Sequence, residues 1–485
     1  MLSQQGRVVL PANKKSNAAA TIIARQDRIP IWALPNLFIG LIGLGFLFTF
    51  FDIGDVNVSF VQTCVQIITG CSPHFASKYI GLPVLLNLAG YVVGALTFSP
   101  LADRYGRRDI MVITMVLTGL GSLYTAFVGD YLNFTISRTI TGIGIGADLA
   151  LVNTYINELA PSRWRAQCTS LIFILSTVGA LLGIWLGLYL TTPATPFPNG
   201  LPFALATAQF NFGWRILYAI GASLSFIGLL LRFNLPESPR WLITRGRISE
   251  AERVVASMEK RAQARVGELP PIAQVLPARV TMRNAGYSDI FGNALYFKRT
   301  IILLVVWLLG YITVYSNIAG ETVLLVALKY PVPEAGLISS LGILGGIVSA
   351  CIAFAFSERL ERKYWLLISA IITIIGGVII AQSSNIAVAV VGSILLACGS
   401  YLWIPITYTW TTENFPTRAR ASGFALTDGL GHIGGGIGVS YVTALVVRFG
   451  PLNTFLLISG FLLVASWLAQ FGSVTRNKRL DEVSP

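Results

Sequence analysis

Apolar residues in this chain come in runs too long for a surface strand or an amphipathic surface helix. Twelve runs of roughly 18–25 residues occupy residues 32–56, 79–101, 109–128, 132–156, 169–190, 212–233, 300–320, 334–356, 364–382, 385–409, 421–447 and 451–471. A helix of about 20 residues crosses the hydrocarbon layer, and in lipid an isolated segment satisfies its backbone only as a helix. The pattern predicts an all-α membrane protein with twelve transmembrane helices. The longest polar stretch between runs, 243–298, divides them six and six. It opens "TRGRISEAERVVASMEKRAQARVG", where Ser249 and Glu252 fit a capping box for an amphipathic helix reaching about Arg265. "ELPPIAQVLP" then breaks it. The predicted organisation is a cytoplasmic N-terminal arm (1–30), a six-helix bundle (31–242), a cytoplasmic linker (243–298), a second bundle (299–472) and a cytoplasmic tail (473–485).

Composition agrees. The chain is 54% hydrophobic and only 12% charged, against about 25% charged in soluble domains. The net charge of +13 could suggest a nucleic-acid partner, but its distribution argues otherwise. With Arg232, near the end of the sixth run, counted with the loop that follows it, thirty of the 35 Lys and Arg fall in the N-terminal arm, the loops after even-numbered runs, and the tail. That asymmetry is the positive-inside rule, with both termini cytoplasmic, and needs no nucleic acid. The first thirty residues are polar and basic, without the apolar core of a cleavable signal, and read as a disordered arm. The five cysteines form no metal pattern. Cys64 and Cys71 share the first outer loop, either as a disulfide or as two unpaired small residues.

Two motifs recur at one spacing. "ELAPSRWRAQ" begins at Glu158 and "ENFPTRARAS" at Glu413, an offset of 255 (413 − 158). "DRYGRR" at Asp103 and "ERLERK" at Glu358 share it (358 − 103). A duplicated six-helix unit with both halves in the same orientation explains both, as in many secondary transporters. The motifs sit at the cytoplasmic ends of the runs. They are expected to form clasps, Glu158 with Arg163 and Arg165 and Glu413 with Arg418 and Arg420, meeting Asp103, Arg104, Arg107 and Arg108 and Glu358, Arg359 and Arg362. The clasps would close an inner gate.

"GALTFSPLADRYGRR" resembles the signature loop of the major facilitator superfamily, G-x-x-x-D-R-x-G-R-R/K. Ser99 stands where that family usually has glycine, and Glu361 replaces the turn glycine in the second copy. "LPESPRWLITRGR" at Leu235–Arg247 resembles the sugar-porter clade and its relatives, which include organic-ion, aromatic-acid and phosphate carriers. The resemblance spans nearly all of 30–470 and implies the major facilitator fold, two pseudo-symmetric six-helix bundles.

Charges inside runs are the better pointers to function, since each costs about 2.5–3.5 kcal/mol or more to insert. They are Asp52, Asp55, Arg138, Asp148, Asp428 and His432, with Glu321 at an outer end where it is expected to meet water. "FFDIG" resembles the G-Y-D pattern of proton-coupled sugar porters, which places the proton on Asp52; "RTITGIGIGAD" resembles the same clade's fourth span, which supplies Arg138. Arginine holds a neighbouring carboxylate ionised, and separating them lets it take a proton; the alternative is a static ion pair in a passive facilitator. Arg138 followed by Asp148 across glycines also resembles phosphate–proton symporters, which adds Asp148 to Asp52 and Arg138 as a proton-coupling candidate and whose span-eleven lysine falls on His432. Asp428, one turn earlier, could keep His432 protonated, or the two could be a polar pair that never touches solute. The hexose signature is absent: Phe173 stands where sugar carriers have glutamine and Tyr408 where they have tryptophan. Trp307, Tyr311 and Tyr315 form one aromatic face, either packing or a wall for a flat solute.

The expectation is a secondary transporter in the plasma membrane, a monomer moving a small solute with protons and solvated by lipid. It would have no cofactor or metal, only the proton gradient. Organic carboxylates lead, then phosphate, then a sugar; an organic cation stays open. A passive uniporter, an exporter or a transporter-like sensor are the alternatives. No nucleophile–base set or G-x-x-x-x-G-K-S/T loop suggests an enzyme or an ATP-driven pump.

Overall fold

The computed structural model describes residues 12–34, 36–72, 76–196, 201–272, 286–442 and 445–484. After α1 (Ala12–Asp27), the first half runs α2 (Asn36–Ile67), α3 (Ala76–Tyr105), α4 (Arg107–Phe127), α5 (Tyr131–Leu159), α6 (Arg165–Thr191) and α7 (Gly213–Arg232). Short helices α8 (Pro239–Thr244), α9 (Ile248–Val266) and α10 (Tyr287–Phe291) connect the halves. The second half runs α11 (Ala294–Ala327), α12 (Val332–Gly342), α13 (Leu344–Phe356), α14 (Tyr364–Gln382), α15 (Ile386–Glu413), α16 (Arg420–Phe424), α17 (Leu430–Ile437) and α18 (Val446–Ala469), then α19 (Leu480–Val483) in the tail. Among the described residues, ten helices are long and apolar enough to cross a membrane. The first predicted span lies on α2; the eleventh is α16 and α17 joined and extended by π-helical turns at Ala425–Gly429 and Gly438–Val442. Large apolar side chains such as Phe127, Leu132, Leu230 and Trp467 face outward, as on a surface solvated by hydrocarbon.

Within each half the helices pack in corresponding pairs: α3 on α5 and α4 on α5, then α13 on α15 and α14 on α15. The α3–α5 contact needs glycine on both sides. A Cβ at Gly146 would lie 2.1 Å from the Tyr91 carbonyl oxygen, and one at Gly94 2.0 Å from that of Ile143. Small residues let the backbones touch and bring the side chains between them into one layer. The halves meet through α6 against α13 and α3 against α16 and α17.

Two expectations at the polar face are corrected. The arm is not wholly irregular: α1 docks on α8 and α9, with Ala19 and Ile22 buried against Trp241, Leu242, Ala251 and Val255. Arg28 pairs with Glu259 at 2.6 Å, and Arg25 with Glu259 and Glu252. An apolar stripe with two cations was enough to order a basic segment. The capping box does not form. Helix α9 begins behind Arg247 with no side-chain cap, and Glu252 serves Arg25 instead. Arg240 joins the arm to the tail, pairing with Asp27 at 2.6 Å and Asp481 at 2.9 Å. Cys64 and Cys71 are joined as a disulfide.

Candidate functional site

The clasps form at the polar face, but they cross between halves. Glu158 accepts from Arg107 of its own half (3.2 Å) and Arg420 of the other (3.0 Å). One repeat later, Glu413 lies 3.5 Å from Arg362 of its own half and 3.4 Å from Arg165 of the other. All six side chains are buried. Asp103 accepts from the Ala421 and Ser422 N–H groups and the Ser422 hydroxyl (3.4, 3.0 and 2.7 Å). Glu358 likewise accepts from the Ala166 N–H at 2.9 Å. Each motif acid therefore caps the first turn of the opposite half's fifth helix, where unsatisfied N–H groups favour an anion. Asp103 also pairs with Arg107, and Glu358 with Arg362.

The expected clasp set was too broad. Arg104 and Arg163 are exposed, Arg108 turns to Asp109, Arg359 lies over the Phe356 ring, and Arg418 bonds Asp289 of α10. Arginines at alternate positions of a terminal turn point to different sides, so one of each pair reaches the seam and the other does not.

Two ion pairs lie within the first bundle. Arg138 donates to an Asp52 carboxylate oxygen at 3.0 Å and to the Asp52 carbonyl at 2.9 Å, while Ser122 donates to the other carboxylate oxygen. Asp148 does not join Arg138. Ten residues of helix separate them by about 15 Å. Its partner is Arg232, in a two-pronged pair with one contact at 2.9 Å, and Thr114 adds a hydroxyl at 2.9 Å. Arg232, one residue from the end of the sixth run, reads from the sequence as part of the basic loop that follows. The signal that could have found it is Asp148 itself, a carboxylate among apolar residues that required a cation.

Between the halves lies a cavity of about 150 Å³. Its walls include Arg138 and Asn87 on one side and Tyr311, Tyr315, Tyr408 and His432 on the other, with Tyr91, Phe173 and Tyr401. Trp307 does not line it. It stacks behind Tyr311 and Tyr408 (ring centroids 5.1 Å from each) and donates to Thr411 at 2.9 Å. Asp428 sits in the π-helical turn and accepts hydroxyls from Tyr311 at 2.5 Å and Tyr91 at 3.0 Å. It is thus bridged to both halves, but its carboxylate is not what holds His432. The imidazole Nδ1 bonds the Asp428 carbonyl at 2.9 Å, so Nδ1 carries a proton. The ring stacks on Tyr91, centroids 3.8 Å apart. The i, i+4 spacing aligned His432 with the carbonyl, as helix geometry favours, while the tyrosines claimed the carboxylate.

A wider cavity of about 730 Å³ shares Ile184, Ile343 and Tyr401 with the first. It lies toward the end opposite the clasps, reaching Thr191 and Leu201. Glu321 lines it and is buried rather than at a wet span end. Tyr91, Tyr401 and Asn87 were missed because uncharged residues in an apolar run carry no mark of their facing.

A membrane bundle in two matched halves, clasped at one face and hollow at its centre, is the architecture of a secondary carrier. The chain belongs to the sugar (and other) transporter family, whose model matches residues 37–484. It is therefore a multi-pass membrane transporter rather than an enzyme. It is 26% identical over 472 residues to the putative metabolite transport protein YyaJ of Bacillus subtilis (96% of this chain, 97% of that one). It is 26% identical over 467 residues to the niacin transporter NiaP of Acinetobacter baylyi (95% and 99%). Its fold matches the proton:xylose symporter XylE with a TM-score of 0.71 at 20% identity, covering 97% of this chain and 99% of that one.

Proposed function

We propose that this transporter carries a small aromatic carboxylate together with protons. The observation that supports this best is the cavity, walled by aromatic rings with Arg138 on one side. A void of about this size holds one benzene-sized ring. Stacking on Tyr and Phe suits a flat solute, and Arg138 suits a carboxylate. Two of the wall's tyrosine hydroxyls, on Tyr91 and Tyr311, are already spent on Asp428, which leaves fewer partners for a polyol. The name of the niacin transporter supports the same class, niacin being a ring acid.

In this reading the Asp52–Arg138 pair is the coupling site. A solute carboxylate drawing on Arg138 weakens its hold on Asp52, and the cluster then binds a proton. The clasps are the inner gate, closed in this conformation, and Glu158 and Glu413 are its two latches. Asp148 with Arg232 braces the first bundle. The basic clasp face, arm and tail lie on the cytoplasmic side of the plasma membrane. The carrier works as a monomer in lipid, with the proton gradient in place of any cofactor.

Purified carrier in proteoliposomes with an inside-alkaline gradient tests this. Labelled nicotinate or benzoate should accumulate, and a protonophore should collapse the gradient and the accumulation together. Uptake of D-xylose in preference to both acids would overturn the substrate class; downhill uptake indifferent to the gradient would overturn the coupling.

A further inference from the structure

The wider cavity holds two buried acceptors that nothing described so far uses. Asn317 and Glu321, both on α11, line it and are 2% and 5% exposed. Among the described residues that line this cavity, Glu321 is the one that carries a charge, and none is a Lys, Arg or His. Among the described residues, Glu321 Oε1 and Asn317 Oδ1 have no hydrogen-bond partner. The groups around them are engaged elsewhere. Asn317 spends its amide N–H on Ser400 at 3.0 Å. Ser339 and Ser393 lie beside the Glu321 carboxylate, but Ser339 shares a hydrogen bond with Thr322 at 3.2 Å and Ser393 donates to the Ile338 carbonyl at 3.3 Å.

Residues four apart on a helix share a face, with Cβ atoms about 5–6 Å apart. The two open oxygens therefore stand one turn apart on the same wall. A buried carboxylate without a cation is costly, and so is a buried carbonyl oxygen without a donor. One group answers both, if it brings a positive charge and at least two N–H donors. An ammonium has three donors, and its bonds to a carboxylate are among the stronger hydrogen bonds. A bare divalent metal ion takes about six oxygens or more, and this wall offers two without a partner.

The rest of the wall suits an organic body. Most of it is apolar, and Trp185 and Tyr401 add ring surface, on which a cation also rests favourably. The volume of about 730 Å³ falls among sites for drug-sized molecules, about 300–1,000 Å³.

We propose that this cavity binds an organic ammonium compound, a protonated primary amine on an apolar or aromatic body, with Glu321 and Asn317 holding the ammonium. The site is distinct from the central cavity and stands whether or not the carrier moves an aromatic carboxylate.

Calorimetric titration of the full carrier in detergent with phenethylammonium tests this, with phenethyl alcohol and sodium ion as comparisons. Phenethylammonium should bind. Phenethyl alcohol, the same body without the charge, should bind more weakly by about tenfold or more, the loss of one charge-assisted hydrogen bond. Glu321→Gln should weaken the amine to the same degree, and Asn317→Leu should weaken it several-fold. Asp428→Asn, in the central site, should leave its affinity within about twofold. Wild type that takes up no amine, sodium binding in its place, or Glu321→Gln binding as tightly as wild type would overturn the proposal. So would a loss confined to Asp428→Asn, which would place the amine in the central cavity. If Glu321→Gln does not fold, carbodiimide labelling of wild-type Glu321 decides: the amine should slow it, and an unchanged rate would sink the assignment.

Discussion

At the clasp face the two halves are close copies; at mid-membrane they are not. Glu158 with Arg107 and Arg420 is matched, one repeat on, by Glu413 with Arg362 and Arg165. Yet the position matching Asp148 is Trp403 (148 + 255), and that matching Asp52 is Trp307 (52 + 255). Those two indoles lie 4.8 Å apart. The first half fills its centre with ion pairs, the second with rings. If the seam is the gate proposed above, both halves release it together, and it can stay symmetric because the same contact serves each side. The centre differs: ion pairs in one bundle, a stacking surface with Asp428 and His432 in the other. In the proposed reading the first half handles the proton and the second shapes the solute.

The sharpest way to break this comparison is to remove one member of a central ion pair. Asp148→Asn leaves Arg232 buried without its counter-ion, and breaking such a pair costs about 3–5 kcal/mol. Thermal unfolding in detergent should fall steeply, whereas the double replacement Asp148→Leu with Arg232→Met should recover most of the loss. A single variant as stable as wild type would mean the first half does not depend on its charges.

Next come the latches. Each charge-assisted hydrogen bond is worth about 1.5–3 kcal/mol, so Glu158→Gln and Glu413→Gln should have similar effects. Together they should raise alkylation of buried Cys168 by about tenfold or more, followed by site-resolved mass spectrometry. Very unequal single variants would show that the seam is symmetric in contacts only.

Smaller effects are expected among the rings. Tyr311→Phe removes one of the two hydroxyls on Asp428, a loss of about 1–2 kcal/mol. The KM for nicotinate should rise several-fold with kcat little changed; an unchanged KM would place the solute elsewhere.

The smallest effect lies outside both bundles. Burial works to raise the Glu259 pKa, but hydrogen bonds from Arg25 and Arg28 outweigh it and hold the carboxyl below its usual value. A depressed folded pKa gives stability that is full above the unfolded value, about 4.3, and fades as pH falls through the folded one. Docking of α1 should therefore be intact at neutral pH and weaken in acid below about pH 4. Hydrogen exchange of residues 12–27 should show it, and Glu259→Gln should loosen the arm at pH 7, by no more than about 1 kcal/mol per partly exposed pair.

Much of this was legible beforehand. Run length forecast the spans, because a bilayer imposes it on any chain that crosses it. The 255-residue offset marked Asp103, Glu158, Glu358 and Glu413 as one device, because duplication leaves a linear trace. Asp52 and Arg138 stood out because an unpaired charge in lipid is too costly to be incidental. The sequence could not say that Arg420 reaches Glu158 and Arg165 reaches Glu413, since the halves differ in partner only once they face each other. Nor could it send Asp148 to Arg232 instead of Arg138, or give the Asp428 carboxylate to Tyr91 and Tyr311 rather than to His432. Sequence spacing sets which residues share a helix face, but the partner across the gap is chosen by how closely glycine-lined backbones such as α3 and α5 approach. That approach is a property of the packed bundle, and there Asp55 was left buried beside a pair already complete.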